Sequence, residues 1–212
     1  MATPKPQIRS LFPTPVCVHF LPVAQEVNAE LRPLVLQKMA EDGAQIVRSQ
    51  GWQSAPDFAE WGGGPAQTLF RVARELADSV TATRAGARVT LDWIVHARAS
   101  VRQKGDYLET AARPGAVWSG VYFVDDGYAK SDDEALGGEC EFADPRGALP
   151  AMVAPQYAFR IPGGATAGMS EVIRPATGMI LVHPSWQPRG ERLFDGGAQR
   201  ITIEFDLTPP AG

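Results

Sequence analysis

Three histidines, His19, His96 and His183, supply all the imidazole of this 212-residue chain, and no two of them share a metal-ligand spacing. His96 falls on the polar side of an alternating run and His183 precedes Pro184 at a strand end, so both read as hydrogen-bonded structural residues. Cys17 and Cys140 are far apart and read as two buried thiols rather than as a metal knuckle or a disulfide. The sequence contains no Gly-x-x-x-x-Gly-Lys phosphate loop and no dinucleotide fingerprint, and Ser119-Gly120 lacks the first glycine of a nucleophile elbow. A row near the C-terminus holds more promise. Arg200, Thr202 and Glu204 share one face of an alternating run, while Ile201, Ile203 and Phe205 share the other. An arginine at such a strand start often just meets a surface carboxylate.

The elements that must position these residues change character near Gly86. Residues 1–15 read as an extended, Pro-rich arm and Val16–Phe20 as a short strand. Helical spacing of Val27, Leu31, Leu34 and Val35 predicts a helix over 23–42, which Pro33 should kink or restart and Gly43 should stop. A second helix over 65–84 follows from the stripe Leu69, Val72, Ala73, Leu76 and Val80, with Gly86 ending it. Between them the Trp- and Gly-rich segment 49–64 reads as a loop in which Trp52 is either a core plug, the favoured reading, or a mouth residue. Beyond Gly86 the period becomes two: Val89, Leu91, Trp93, Val95, Ala97, Ala99 and Val101 take one side of a long strand, with Arg98, Ser100 and Arg102 on the other. Further strands are expected at 117–124, 138–142, 171–173, 179–183 and 200–207, joined by long connections at 125–136 and 143–167. Two helices followed by antiparallel-type strands predict a mainly β fold, a double-sheet jelly roll with helices outside one sheet. We expect one domain over 1–212: an arm (1–15), a strand with helices (16–86) and the roll (87–208).

Composition narrows the function classes. At 44% hydrophobic and 21% charged residues the chain can bury a core, and 21 Gly with 18 Pro favour short strands and turns. A net charge of −4 argues against a nucleic-acid partner. No apolar run is long enough to span a bilayer and Met1–Arg9 lacks a signal core, so a cytoplasmic location without membrane attachment is expected. Nothing in the composition sets the oligomeric state.

Several strings recur in a telling order: Gly51-Trp52-Gln53-Ser54, Lys104-Gly105-Asp106-Tyr107, the run from Arg113-Pro114-Gly115-Ala116 to Ser119-Gly120-Val121-Tyr122, Asp144-Pro145-Arg146, Pro184-Ser185-Trp186 and Arg200-Ile201-Thr202. Their order and spacing, from about Thr14 to Leu207, resemble a largely bacterial family of 2-oxoglutarate/Fe(II) oxygenases. The resemblance implies a double-stranded β-helix. Inside it, two histidines and a carboxylate hold Fe(II), and an Arg-x-Ser/Thr pair, here Arg200 and Thr202, grips the distal carboxylate of 2-oxoglutarate. It also places Ala111, Arg113 and Arg189 at the ligand positions, where neither a methyl group nor a guanidinium can bind a cation. Asp106, Glu109 and His183 are the nearby substitutes, and they fit poorly. The expectation is therefore a family member without an iron site and with no cofactor. Its pocket would bind a small acidic ligand through Arg113, Arg189, Tyr107 and Trp186 beside Arg200 and Thr202, or carry Glu109, Glu191 or Glu204 as counter-charges. Two alternatives remain: an active Fe(II)- and 2-oxoglutarate-dependent dioxygenase with an atypical metal site, and a structural or interaction module.

Overall fold

Alternation along Arg200–Thr208 (β10) separates two environments. Ile201, Ile203, Phe205 and Leu207 point into a core shared with helices, and Arg200, Thr202, Glu204 and Asp206 point the other way. The computed structural model describes residues 7, 11–43, 49–147, 153–154, 156–157 and 170–210. Before β10 the chain forms β1 (Cys17–Phe20), α1 (Ala24–Glu41), β2 (Trp52–Gln53), α2 (Phe58–Trp61) and α3 (Gly63–Ser79). It continues through β3 (Ile94–Arg102), β4 (Leu108–Ala111), β5 (Trp118–Asp125), β6 (Cys140–Ala143), β7 (Ser170–Ile173), β8 (Met179–Pro184) and β9 (Arg189–Glu191). All pairings between these strands are antiparallel, in a six-stranded sheet ordered β1-β8-β5-β10-β3-β2 and a four-stranded sheet ordered β4-β9-β6-β7. The protein is mainly β, as expected. Much of the 1–15 arm and of the 143–167 connection lies outside the described residues.

The larger core joins Val27, Leu31 and Val35 of α1 and Leu69, Phe70 and Ala73 of α3 to the apolar rows of β3, β8 and β10. Polar side chains secure the helix side: Tyr122 donates to Asn28 Oδ1 at 2.7 Å and Trp118 Nε1 to Thr81 Oγ1 at 2.9 Å. A smaller cluster on the other face packs Val121, Phe123, Met179 and Leu181 against Cys140 and Phe142 of the four-stranded sheet. Among the described residues no helix is long and apolar enough to cross a membrane.

Local corrections have simple causes. Pro33 does not restart α1: it sits exposed within one helix that runs from Ala24 to Glu41. The second helix stops at Ser79, earlier than 84. There Thr81 Oγ1 donates to the Ala77 carbonyl, and residues 83–87 close a tight turn in which Gly86 takes φ +82°. Residues 89–93 do not extend β3. Trp93 instead turns into the core and gives its Nε1 proton to Asp78 at 2.8 Å. Short β4 and β9, three or four residues each, lie too close to the limit of an alternating pattern to be anticipated.

Trp52 is a plug. It is 2% exposed, pairs with Val101 across β2–β3, and follows Gly51, whose φ of +73° leaves no room for a Cβ against the Val101 carbonyl. Trp52→Ala is expected to cost about 3 kcal/mol in urea unfolding, because it leaves a cavity in the core shared with the helices. A loss under about 1 kcal/mol would place the ring at the surface instead.

Candidate functional site

The polar face of the six-stranded sheet is buried where β3 and β10 run side by side. Arg102 lies directly across from Arg200 in that register, Ser100 across from Thr202 and Arg98 across from Glu204. The four-stranded sheet contributes Arg189 and Glu191, two residues apart on β9 and hence on one face. Their side chains form a connected set of ion pairs. Arg189 Nη2 donates to Glu191 Oε1 at 2.6 Å, and Arg102 Nη1 and Arg200 Nη1 approach Glu191 Oε2 at 3.4 and 3.5 Å. Arg102 Nη2 donates to Glu204 Oε1 at 2.8 Å, and its Nη1 also reaches Thr202 Oγ1 at 3.4 Å. Arg113 Nη2 donates to the other Glu204 oxygen, and Arg113 Nη1 lies 4.0 Å from Asp206. Arg102, Arg189, Arg200, Glu191 and Glu204 are all buried, whereas the Arg113 side chain keeps 30% of its exposure and marks the solvent side.

Burial by itself would favour the neutral acid at Glu191 and Glu204. At Glu191 the neighbouring Arg102, Arg189 and Arg200, and at Glu204 Arg102, Arg113 and Arg189, overcome it and hold both carboxyls below their ordinary value. The guanidiniums still outnumber their partners. Arg102, Arg113, Arg189 and Arg200 face Glu191, Glu204 and Asp206, which leaves one positive charge over. Among the described residues, buried Arg102 Nε, Arg189 Nε, Arg200 Nη2 and Ser100 Oγ have no nitrogen or oxygen partner, although the Cys140 thiol also sits beside Arg189. Planar guanidiniums with open N–H groups in a low-dielectric interior suit one more carboxylate or oxyanion. Arg200 is the most constrained of them. Its Nε donates to the Asp126 carbonyl at 3.0 Å, its Nη1 to the Gly138 carbonyl at 2.5 Å, and it stacks 4.2 Å from the Phe194 ring centroid.

The structure thus brings Arg113, Arg189, Arg200 and Thr202 into one network with the anticipated counter-charges Glu191 and Glu204. Glu109, the third anticipated partner, is exposed on β4. Trp186 is 54% exposed and Tyr107 half-buried, and the ion pairs among the described residues run through neither. Asp106 Oδ2 accepts the Gln103 N–H at 2.7 Å and so closes a turn. His183 is buried on β8, its Nδ1 3.0 Å from the Pro184 carbonyl and its ring edge-on to Phe142. Burial chiefly, with Arg189 next, pushes this imidazole down to about 3. The residue not anticipated is Arg102, which bridges both glutamates. Its place in the strand alternation opposite Arg200 was the available signal.

The family model described as "Putative 2OG-Fe(II) oxygenase" matches residues 96–206, just over half of the chain. Among solved structures, the chain is similar to a Pseudomonas putida prolyl-4-hydroxylase: TM-score 0.57, 17% identity, 92% of both chains covered. A Trichoplax adhaerens prolyl hydroxylase in complex with a hypoxia inducible factor peptide superposes at TM-score 0.62, with 11% identity over 92% of this chain and 83% of that one. HygX from Streptomyces hygroscopicus, with nickel and 2-oxoglutarate bound, gives TM-score 0.57 and 11% identity over 93% of this chain and 83% of that one. No curated protein matches the sequence.

These comparisons correct the expectation that no cofactor is involved: the matching family is one of Fe(II)- and 2-oxoglutarate-dependent oxygenases. The two groups meet different surroundings here. Excess guanidinium charge fits the carboxylates of 2-oxoglutarate. At the positions that resemble metal ligands, Ala111 is exposed and has no donor atom, and Arg113 and Arg189 are bound to carboxylates. Among the described residues no three His, Cys, Asp or Glu side chains are grouped to hold a metal ion, so these residues do not fit the family's iron set.

Proposed function

The chain belongs to the 2OG-Fe(II) oxygenase family, and on that premise we propose that it is a member whose iron ligands have given way to arginines and whose interior takes up a small acidic ligand of the 2-oxoglutarate class. The observation that carries this reading is the charge imbalance in the network: among the described residues its guanidiniums exceed its carboxylates, and three of their buried N–H groups have no oxygen acceptor. The interleaved sheet orders β3-β10-β5-β8 and β4-β9-β6-β7 support a double-stranded β-helix forming a single roll. In it, Arg102, Arg189 and Arg200 would hold the ligand's carboxylate from within. Thr202 would offer a hydroxyl, and Arg113, Tyr107 and Trp186 would line the way in.

Millimolar 2-oxoglutarate, succinate or sulfate should raise the melting temperature of the full chain at low ionic strength, since a ligand that binds only the native state stabilises it by mass action. The shift should shrink as salt rises. No shift with any of these anions would overturn the ligand reading. Anaerobic dialysis against Fe(II), followed by elemental analysis, tests the other half. One iron per chain together with succinate production would make this an active dioxygenase with ligands of an unusual kind.

A further inference from the structure

We propose that the three guanidiniums around Glu191 constitute a carboxylate-binding site with Arg102 at its centre, and that in the resting chain the Glu191 side chain is its occupant. This deepens the ligand reading above and rests on it only for the identity of the incoming molecule. Glu191 is 3% exposed, and its two oxygens receive N–H groups from three separate strands: Arg189 on β9 itself, Arg102 on β3 and Arg200 on β10. A single carboxylate shared by three buried guanidiniums is undersupplied. The 2.6 Å contact to Arg189 is short, while those to Arg102 and Arg200 are stretched to 3.4 and 3.5 Å. Arg102 is the strand-borne group that turns toward both carboxylates. It gives Nη2 to Glu204 and Nη1 to Glu191 and Thr202, while its Nε has no partner among the described residues. An external carboxylate that displaced Glu191 would take the short contact and draw on the open N–H groups. Glu191, being covalently attached, competes at high local concentration, so the affinity measured for a ligand falls by the fraction of time the site stands open.

Glu191→Ala removes the occupant and leaves space for a small free carboxylate. We expect this variant to melt below the natural chain. About 50 mM sodium acetate should raise its melting temperature by several degrees more than it raises that of the natural chain, whereas the same concentration of chloride should not. Glu191→Gln, which keeps the volume and removes the charge, should bind 2-oxoglutarate about tenfold more tightly by calorimetry than the natural chain does. The glutamine variant decides the matter if the alanine variant does not accumulate. Equal acetate responses, or a natural chain that binds 2-oxoglutarate as tightly as the glutamine variant does, would overturn the assignment of Glu191. Should acetate rescue Glu191→Ala while no form binds a dicarboxylate, the carboxylate site stands and the proposed ligand class fails. Should the natural chain bind 2-oxoglutarate and the Glu191 variants bind it no better, the ligand class stands and the occupant is disproved.

Discussion

Replacing Arg102 with methionine is expected to remove about 3–5 kcal/mol of folding stability, a large part of the 5–15 kcal/mol typical of a native domain. The side chain is 1% exposed and touches Glu191 and Glu204 together. Methionine fills most of the same volume, so the loss is electrostatic rather than a cavity effect. Glu204 keeps the partly exposed Arg113, and Glu191 keeps Arg189 and the stretched contact to Arg200, but both give up a buried charge-assisted bond. Urea unfolding monitored by tryptophan fluorescence measures the difference. Adding Glu204→Leu to Arg102→Met should return part of the loss, because a well-packed apolar pair in place of a buried ion pair is often neutral. A single variant within about 1 kcal/mol of the natural chain would show that Arg102 is not central to the network.

A second large effect lies in the pH dependence. His183 has an ordinary value of 6.5 that burial, and secondarily Arg189, pushes down to about 3. Between those two values the unfolded chain carries a proton on this ring that the folded chain does not. Stability therefore rises with pH across that window, is fully present above 6.5, and is lost as the solution becomes more acidic. The slope approaches about 1.4 kcal/mol per pH unit, so the protein should weaken markedly between pH 6 and about 4.5, before carboxylates begin to protonate. Below that, Glu191 and Glu204 act in the same direction. Their folded values are depressed, so the stability they contribute is present above the ordinary carboxylate range and disappears as pH falls through the folded values. His183→Gln should flatten the upper window and leave the lower one. An unchanged slope between pH 6.5 and 4.5 in that variant would assign the acid sensitivity elsewhere.

Much of the site was legible in the alternation of β10, because one face of that strand is so plainly apolar that its other face had to be the odd one. On β3 the alternation put Arg98, Ser100 and Arg102 on one face without showing what covers it. A polar row on an antiparallel strand ordinarily faces water. The cover comes from β9, three residues bounded by Pro188 and the exposed Arg192, too short for any periodicity to reveal. The resemblance singled out Arg113, Arg189 and Arg200, but which carboxylates they meet depends on the side chains that β9 brings from the other sheet. Helix α3 was legible from its stripe, whereas its end was not: the stripe runs on to Val80, and the backbone N–H groups of Val80 and Thr81 close the last turn on the Ala77 and Asp78 carbonyls with no glycine or proline to mark it.

The two-sided character of β10 has a consequence for how the chain finds its partner strands. Sliding β10 by one residue against β3 would turn Arg200 and Glu204 toward the helices and send Ile203 and Phe205 among the arginines. Such a slip forfeits more than apolar contacts: each misplaced guanidinium would be enclosed in hydrocarbon with no counter-ion, a far steeper penalty than a misplaced leucine incurs. The irregularity between Ile201 and Thr202, where β10 skips Val124 on β5, lies next to Arg200 and allows both neighbouring strands to keep their apolar rows on the helix side. The buried charges thus act as an index mark for assembly: they add little where they are correctly paired, and they make every neighbouring arrangement of the same strands expensive.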